Sequence, residues 1–194
     1  MLRRKSGENG FSYIDVMIAI VILMVGILAM LSALTASLIR SYETERRVIA
    51  KQMALSTIES IFSAKEIENL NVVAGWDSLR NVIGGLPAGE IDGIFLTGFN
   101  PVREESGWDG VAGTADDACA GTCTNAFSGV VNSSPIINNI ERRIVITDVA
   151  DPERPSPPNF ITRRRIDVTI RFFVNGLIRE QTASTIITDY DQTD

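Results

Sequence analysis

With 194 residues and 45% hydrophobic content the chain can build one modest core, but much of its apolar content lies near the N-terminus, so the water-soluble part is smaller than the length implies. The absence of any His removes histidine triads, histidine metal sites and histidine general bases together. A formal net charge of -6, from 18 basic and 24 acidic residues, argues against a general nucleic-acid-binding surface.

Residues 1–10 are short and basic, with Arg3, Arg4 and Lys5, and residues 16–39 carry no charge at all. At 1.5 Å per helical residue that run is long enough to cross a hydrocarbon core about 30 Å thick. The basic leader keeps the start in the cytoplasm and sends Arg40 onward outside, so a single-pass inner-membrane protein with an external C-terminal domain is expected. No small-x-small cleavage pattern with a polar boundary follows Ile39, so the anchor is expected to stay in the mature protein. Asp15 stands at the mouth of this run, where a carboxylate facing hydrocarbon costs several kcal/mol unless it is paired or reaches the interface.

The residues Gly10-Phe11-Ser12-Tyr13-Ile14-Asp15-Val16 closely resemble the prepilin cleavage and methylation motif of the type IV pilin family, and residues 18–29 look like the anchor of minor pilins of the PilV kind. Departures are Asp15 where Glu is usual, Ser12 where Thr is common and Tyr13 where Leu is common. The resemblance implies cleavage between Gly10 and Phe11 by prepilin peptidase, methylation of the new N-terminus, and neutralisation of Asp15 by the ammonium group of a neighbouring subunit. It further implies an inner-membrane assembly platform and other pilin subunits as partners, and a final location in an extracellular pilus or a periplasmic pseudopilus. A signal-anchored membrane protein with a coincidental Gly-Phe is the plain alternative.

Past Arg40 the pattern turns amphipathic, with Tyr42, Ile49, Met53, Leu55, Ile58, Ile61 and Phe62 at helical spacing. The helix is expected to run to about Lys65 and to hold a sheet with this stripe. Residues 50–61 resemble the Ala-x-x-x-Ala-x-x-x-x-Glu pattern of the same family. The expected organisation is a leader over 1–10, a membrane or filament-core half-helix over 11–40 and an amphipathic half over 41–65. A variable loop region with small strands, rich in Gly, Asn, Ser and Asp, follows over 66–140, and an antiparallel sheet with a C-terminal hairpin over 141–194. The fold class is α+β.

Strand signals come from residues 144–149 and from the alternation of Ile166, Val168, Ile170, Phe172 and Val174. Asn175-Gly176 fits a two-residue hairpin turn, which sets Val174 opposite Leu177, Arg171 opposite Glu180 and Thr169 opposite Thr182. The proline loop at residues 151–159 joins the first strand to this hairpin, and the sheet has about three to five strands.

Cys119 and Cys123, outside the membrane, can close a small disulfide loop; their spacing is not that of a redox-active pair, and a zinc site would need two further ligands. Asp109, Asp116 and Asp117 sit among Gly110 and Gly113 in a loop of the composition that calcium accepts, although the spacing departs from the EF-hand and a solvated turn is the plain alternative; no other cofactor is expected. The basic runs Arg142-Arg143 and Arg163-Arg164-Arg165 can contact phosphate or an acidic neighbour, but with no aromatic ladder beside them they are expected to serve solubility at strand edges. The carboxylate pairs Glu104-Glu105 and Asp116-Asp117 have no companion nucleophile or cofactor motif, so no enzyme is expected. The leading functional expectation is a structural subunit of a type IV pilus, minor rather than major. The alternatives are a minor pseudopilin of a type II secretion system and a membrane-anchored binding module or adhesin that never polymerises.

Overall fold

The computed structural model describes residue 10 and residues 12–66, 75–87, 90–107, 109–118, 134–152 and 161–189. The chain divides into two units, Met1–Glu45 and Arg46–Asp194, with helix α1 (Tyr13–Glu66) contributing to both. A single glycine, Gly26, and no proline interrupt α1, so nothing in its sequence forces a kink. Asp15 in its first turn and Lys65 in its last complement the helix dipole.

The first unit is the apolar half of α1, whose side chains from Tyr13 through Ile39 are all exposed. This helix is long and apolar enough to cross a membrane.

In the second unit the stretch of α1 from Arg46 packs on a four-stranded antiparallel sheet of order β1-β2-β3-β4, an α+β arrangement. The strands are β1 (Asn100–Arg103), β2 (Ile136–Asp148), β3 (Arg163–Val174) and β4 (Leu177–Thr188), and a short helix α2 (Gly75–Ser78) precedes them. Asn175 and Gly176, both at positive φ, make the turn between β3 and β4. The resulting register pairs Val174 with Leu177, Arg171 with Glu180 and Thr169 with Thr182, as counting outward from that turn requires. β2 begins at Ile136, earlier than residues 144–149 alone suggest. Asn138 and the positive-φ Asn139 interrupt the alternation there, within a register shift against β1, and β2 pairs with β1 on both sides of it, at Ile136 and at Glu141 and Arg142.

Alternation along β3 turns Ile166, Val168, Ile170, Phe172 and Val174 toward the core, joined by Ile140 and Ile144 of β2 and Ile187 of β4. From α1 the core takes Ala50, Ala54, Ile58, Ile61 and Ala64. Of the expected sheet-facing stripe, Ile58 and Ile61 do enter the core and Met53 packs against it, but Tyr42, Leu55 and Phe62 are exposed, and Ala50, Ala54 and Ala64 complete the contact face, where short side chains let helix and sheet approach closely. The middle of the chain is also more than a loop region. Trp76, Leu79, Phe95, Val102 and Val111 are all buried in the same core.

Candidate functional site

The processing and assembly residues lie at the start of α1. Gly10 is exposed, while Phe11 lies outside the described residues. Ser12 is the N-cap: its carbonyl accepts from Asp15 N at 2.9 Å and its Oγ lies 3.4 Å from the N–H of Ile14. In return Asp15 Oδ2 accepts from Ser12 N at 3.1 Å, the returning half of a capping box, while the Ser12 hydroxyl faces Ile14 N rather than Asp15 N. The sequence signal for it, a Ser followed three residues later by an acid, is present in Ser12-Tyr13-Ile14-Asp15. This carboxylate therefore has a partner within its own chain.

The acidic loop forms a second cluster, placed between the sheet-packed part of α1 and β2. Asp117 Oδ2 accepts from Gly113 N at 2.7 Å and forms an ion pair with Arg142 Nη2 at 2.6 Å. Ala112 N donates to Ser60 Oγ of α1 at 3.3 Å, and Arg142 Nη1 lies 3.5 Å from Thr57 Oγ1. Asp116 Oδ1 accepts from Thr114 Oγ1 at 2.5 Å, Asp116 Oδ2 from Asp109 N at 3.2 Å, and Asp109 Oδ1 from Val111 N at 2.7 Å. Burial raises the Asp109 carboxyl to about 6, against the Val111 N–H and with help from the charge of Asp116. Burial likewise raises Asp117, opposed by the Gly113 N–H and by Arg142, and lowers Arg142, opposed by Asp117. Asp109, Asp116 and Asp117 thus spend oxygens on the chain's own N–H and O–H groups and on Arg142. Among the described residues no group of three or more acidic side chains is arranged to hold a metal ion. Cys119 and Cys123 lie outside the described residues.

Two arginines of the basic runs are not solubility residues. Arg142 and Arg164 are buried, at 9% and 2% exposure, because their positions in the strand alternation fall on the core face. Arg164 Nε donates to Asp148 Oδ1 at 3.0 Å, its Nη1 bonds the carbonyls of Trp76 and Leu79, and its guanidinium lies 4.6 Å from the centre of the Trp76 ring. It ties α2 to the sheet. On the opposite face Arg171 and Arg143 both lie over Phe99, at 3.4 and 4.6 Å from its centre, and Arg171 also pairs with Glu180 at 2.9 Å. An aromatic partner for the basic runs therefore exists, supplied by a residue distant in sequence.

Scans against protein-family models, curated proteins and solved structures each find no match to this chain.

Proposed function

We propose that this chain is a prepilin-like membrane subunit, cut between Gly10 and Phe11, anchored by the apolar half of α1 and polymerised into a type IV pilus through that same helix as a minor subunit. The observation that carries this reading is the exposure of the whole uncharged run at residues 16–39, directly after the Gly10-Phe11 junction and the acid at Asp15. So long an apolar surface requires cover, and lipid supplies it before assembly, neighbouring helices afterwards. The compact α+β second unit supports the reading as the exposed cargo of such an anchor. Prepilin peptidase, the assembly platform and other pilin subunits are the partners it requires.

Substitution at Asp15 tests it, because two roles meet on one carboxylate. Asp15→Ala removes both cap and charge, whereas Asp15→Asn keeps an oxygen able to accept from Ser12 N and removes only the charge. If the charge pairs with a neighbouring N-terminus, both variants remain in the membrane and are lost from filaments. Normal incorporation of Asp15→Asn would leave the cap as the residue's sole role and sink the proposed pairing.

A further inference from the structure

We propose that β4 pairs with β4 of a second copy of this chain, antiparallel and centred on Thr182, so that two four-stranded sheets join into one. The two edges of the sheet differ in kind. At the β1 edge the strand is only 4 residues long, contains Pro101 and shifts register between Pro101 and Arg103. Where β1 has ended, the side-chain amide of Asn81 covers β2: its Nδ2 donates to Ile144 O at 2.8 Å and its Oδ1 accepts from Ile146 N at 2.8 Å. That amide occupies the place of a neighbouring strand's peptide group. Among the described residues the β4 edge has none of these devices. It runs 12 residues in unbroken register with β3, contains no proline, and carries one Arg and one Glu near one end. Long, flat, weakly charged edges recruit another strand.

The sequence of β4 selects the occupant. In a continuous antiparallel sheet related by a two-fold, opposed residues lie on the same face, so the pairing must centre on one residue. Reading outward from Thr182, Ile178 and Ile186 stand equally far on either side, and so do Leu177 and Ile187. Centring there sets Ile178 against the partner's Ile186 and Leu177 against the partner's Ile187. Leu177, Ile178 and Ile186 are 57%, 54% and 55% exposed, and this pairing covers all three. Phe173, opposite Ile178 in the hairpin, extends the apolar row on the outer face. Arg179 and Glu180 then face Thr185 and Ser184 of the partner, with no like charges opposed. Neighbouring registers fail. Centring on Glu180 sets it against its own copy, centring on Ala183 sets Glu180 against Ile186, and centring on Gln181 leaves Ile186 opposite Gly176.

The two-fold axis stands perpendicular to the sheet, so the sheet-packed stretches of α1 in the two copies run in opposite directions. The contact is therefore distinct from parallel packing of helices within one filament. It stands or falls independently of the processing at Gly10.

Two measurements on the full-length chain in detergent micelles test it. Light scattering reads the dimer constant for Ile178→Lys, for Ile186→Glu and for the two combined. Each single change sets a charge against an exposed isoleucine twice per dimer and weakens association by about tenfold or more. The combined variant sets Lys against Glu twice and returns association to within about threefold of the unaltered chain. A thiol cross-linker spanning about 8 Å is then applied to Thr182→Cys and Ser184→Cys, with the unaltered chain as control for Cys119 and Cys123. The paired Thr182 Cα atoms stand about 5.5 Å apart and the two Ser184 about 14 Å apart, so only Thr182→Cys is joined. Single variants that associate normally, a combined variant that stays weak, or equal cross-linking at both positions overturns the proposal; equal cross-linking would also mark association through the anchors.

Discussion

Arg142 on β2 and Asp117 in the acidic loop form an ion pair of 2.6 Å on the buried side of the sheet, with Asp117 Oδ1 left without a hydrogen-bond partner among the described residues. Such a pair is a poor source of net stability, because both charges have left water, yet breaking it from one side strands the other charge. Arg142→Leu is expected to cost about 3–5 kcal/mol, and Asp117→Leu combined with Arg142→Leu to recover much of that. Urea unfolding followed by tryptophan fluorescence measures both. A cost below about 1 kcal/mol for Arg142→Leu would show that the loop takes up Asp117 without its partner.

Two acids give pH dependences of opposite sign. Asp109 is raised to about 6 mainly by burial, so between about pH 4 and pH 6 the folded state holds a proton that the unfolded chain releases. This group therefore removes stability as pH rises through that window, and Asp109→Asn should be increasingly stabilising relative to the native chain from pH 4 to pH 6. Asp92 is lowered by the backbone N–H groups of Ile83, Gly84 and Gly93, so its contribution is present above pH 3.8 and fades as pH falls through its lower folded value. Asp92→Asn should be destabilising at neutral pH and progressively less so in acid. Thermal midpoints from pH 2 to pH 7 read both slopes, and curves parallel to the native chain's from pH 4 to pH 6 for Asp109→Asn, or below pH 4 for Asp92→Asn, would contradict them.

Asn81 closes an edge of β2 with two bonds from one side chain, both 2.8 Å. Asn81→Ala leaves the N–H of Ile146 and the C=O of Ile144 unserved in a half-buried setting, for an expected loss of about 2 kcal/mol. Asn81→Asp keeps the acceptor and loses the donor, so it also destabilises. Amide hydrogen exchange localises the effect: Ile146 N–H should lose protection in Asn81→Ala, and unchanged protection there would show that the bond is dispensable.

Gly93 packs so closely that an added Cβ would lie against the backbone oxygens of Arg80 and Asn81. Gly93→Ala is expected to cost at least about 2 kcal/mol through overpacking. Gly84→Ala, at φ 72 in open space, meets only the conformational cost of about 1 kcal/mol. Equal destabilisation by the two changes in a denaturant series would remove the steric argument for Gly93.

The elements governed by local chemistry were legible in the sequence. Asn175-Gly176 specifies the hairpin and its register, and the uncharged run and the helical periodicity specify α1. What escaped depends on contacts between distant segments. The sheet-facing side of α1 combines Ala50, Ala54 and Ala64 with Ile58 and Ile61, because close approach to the sheet outweighs the size of Leu55 and Phe62. Arg142 and Arg164 read as surface charge in a run of cations, yet their strand positions turn them inward, where Asp117, Asp148 and the carbonyls of Trp76 and Leu79 receive them. At the candidate site the capping role of Asp15 is legible in its spacing from Ser12, because that contact is local to the chain.

Mass spectrometry of sheared surface filaments and of residual membranes from the native cells tests the central claim most directly, because it reads processing and location together. The account expects a peptide beginning at methylated Phe11 in the filament fraction. The same peptide confined to membranes would favour a pseudopilin or an assembly-priming subunit, and an intact leader through Gly10 in every fraction would contradict the account.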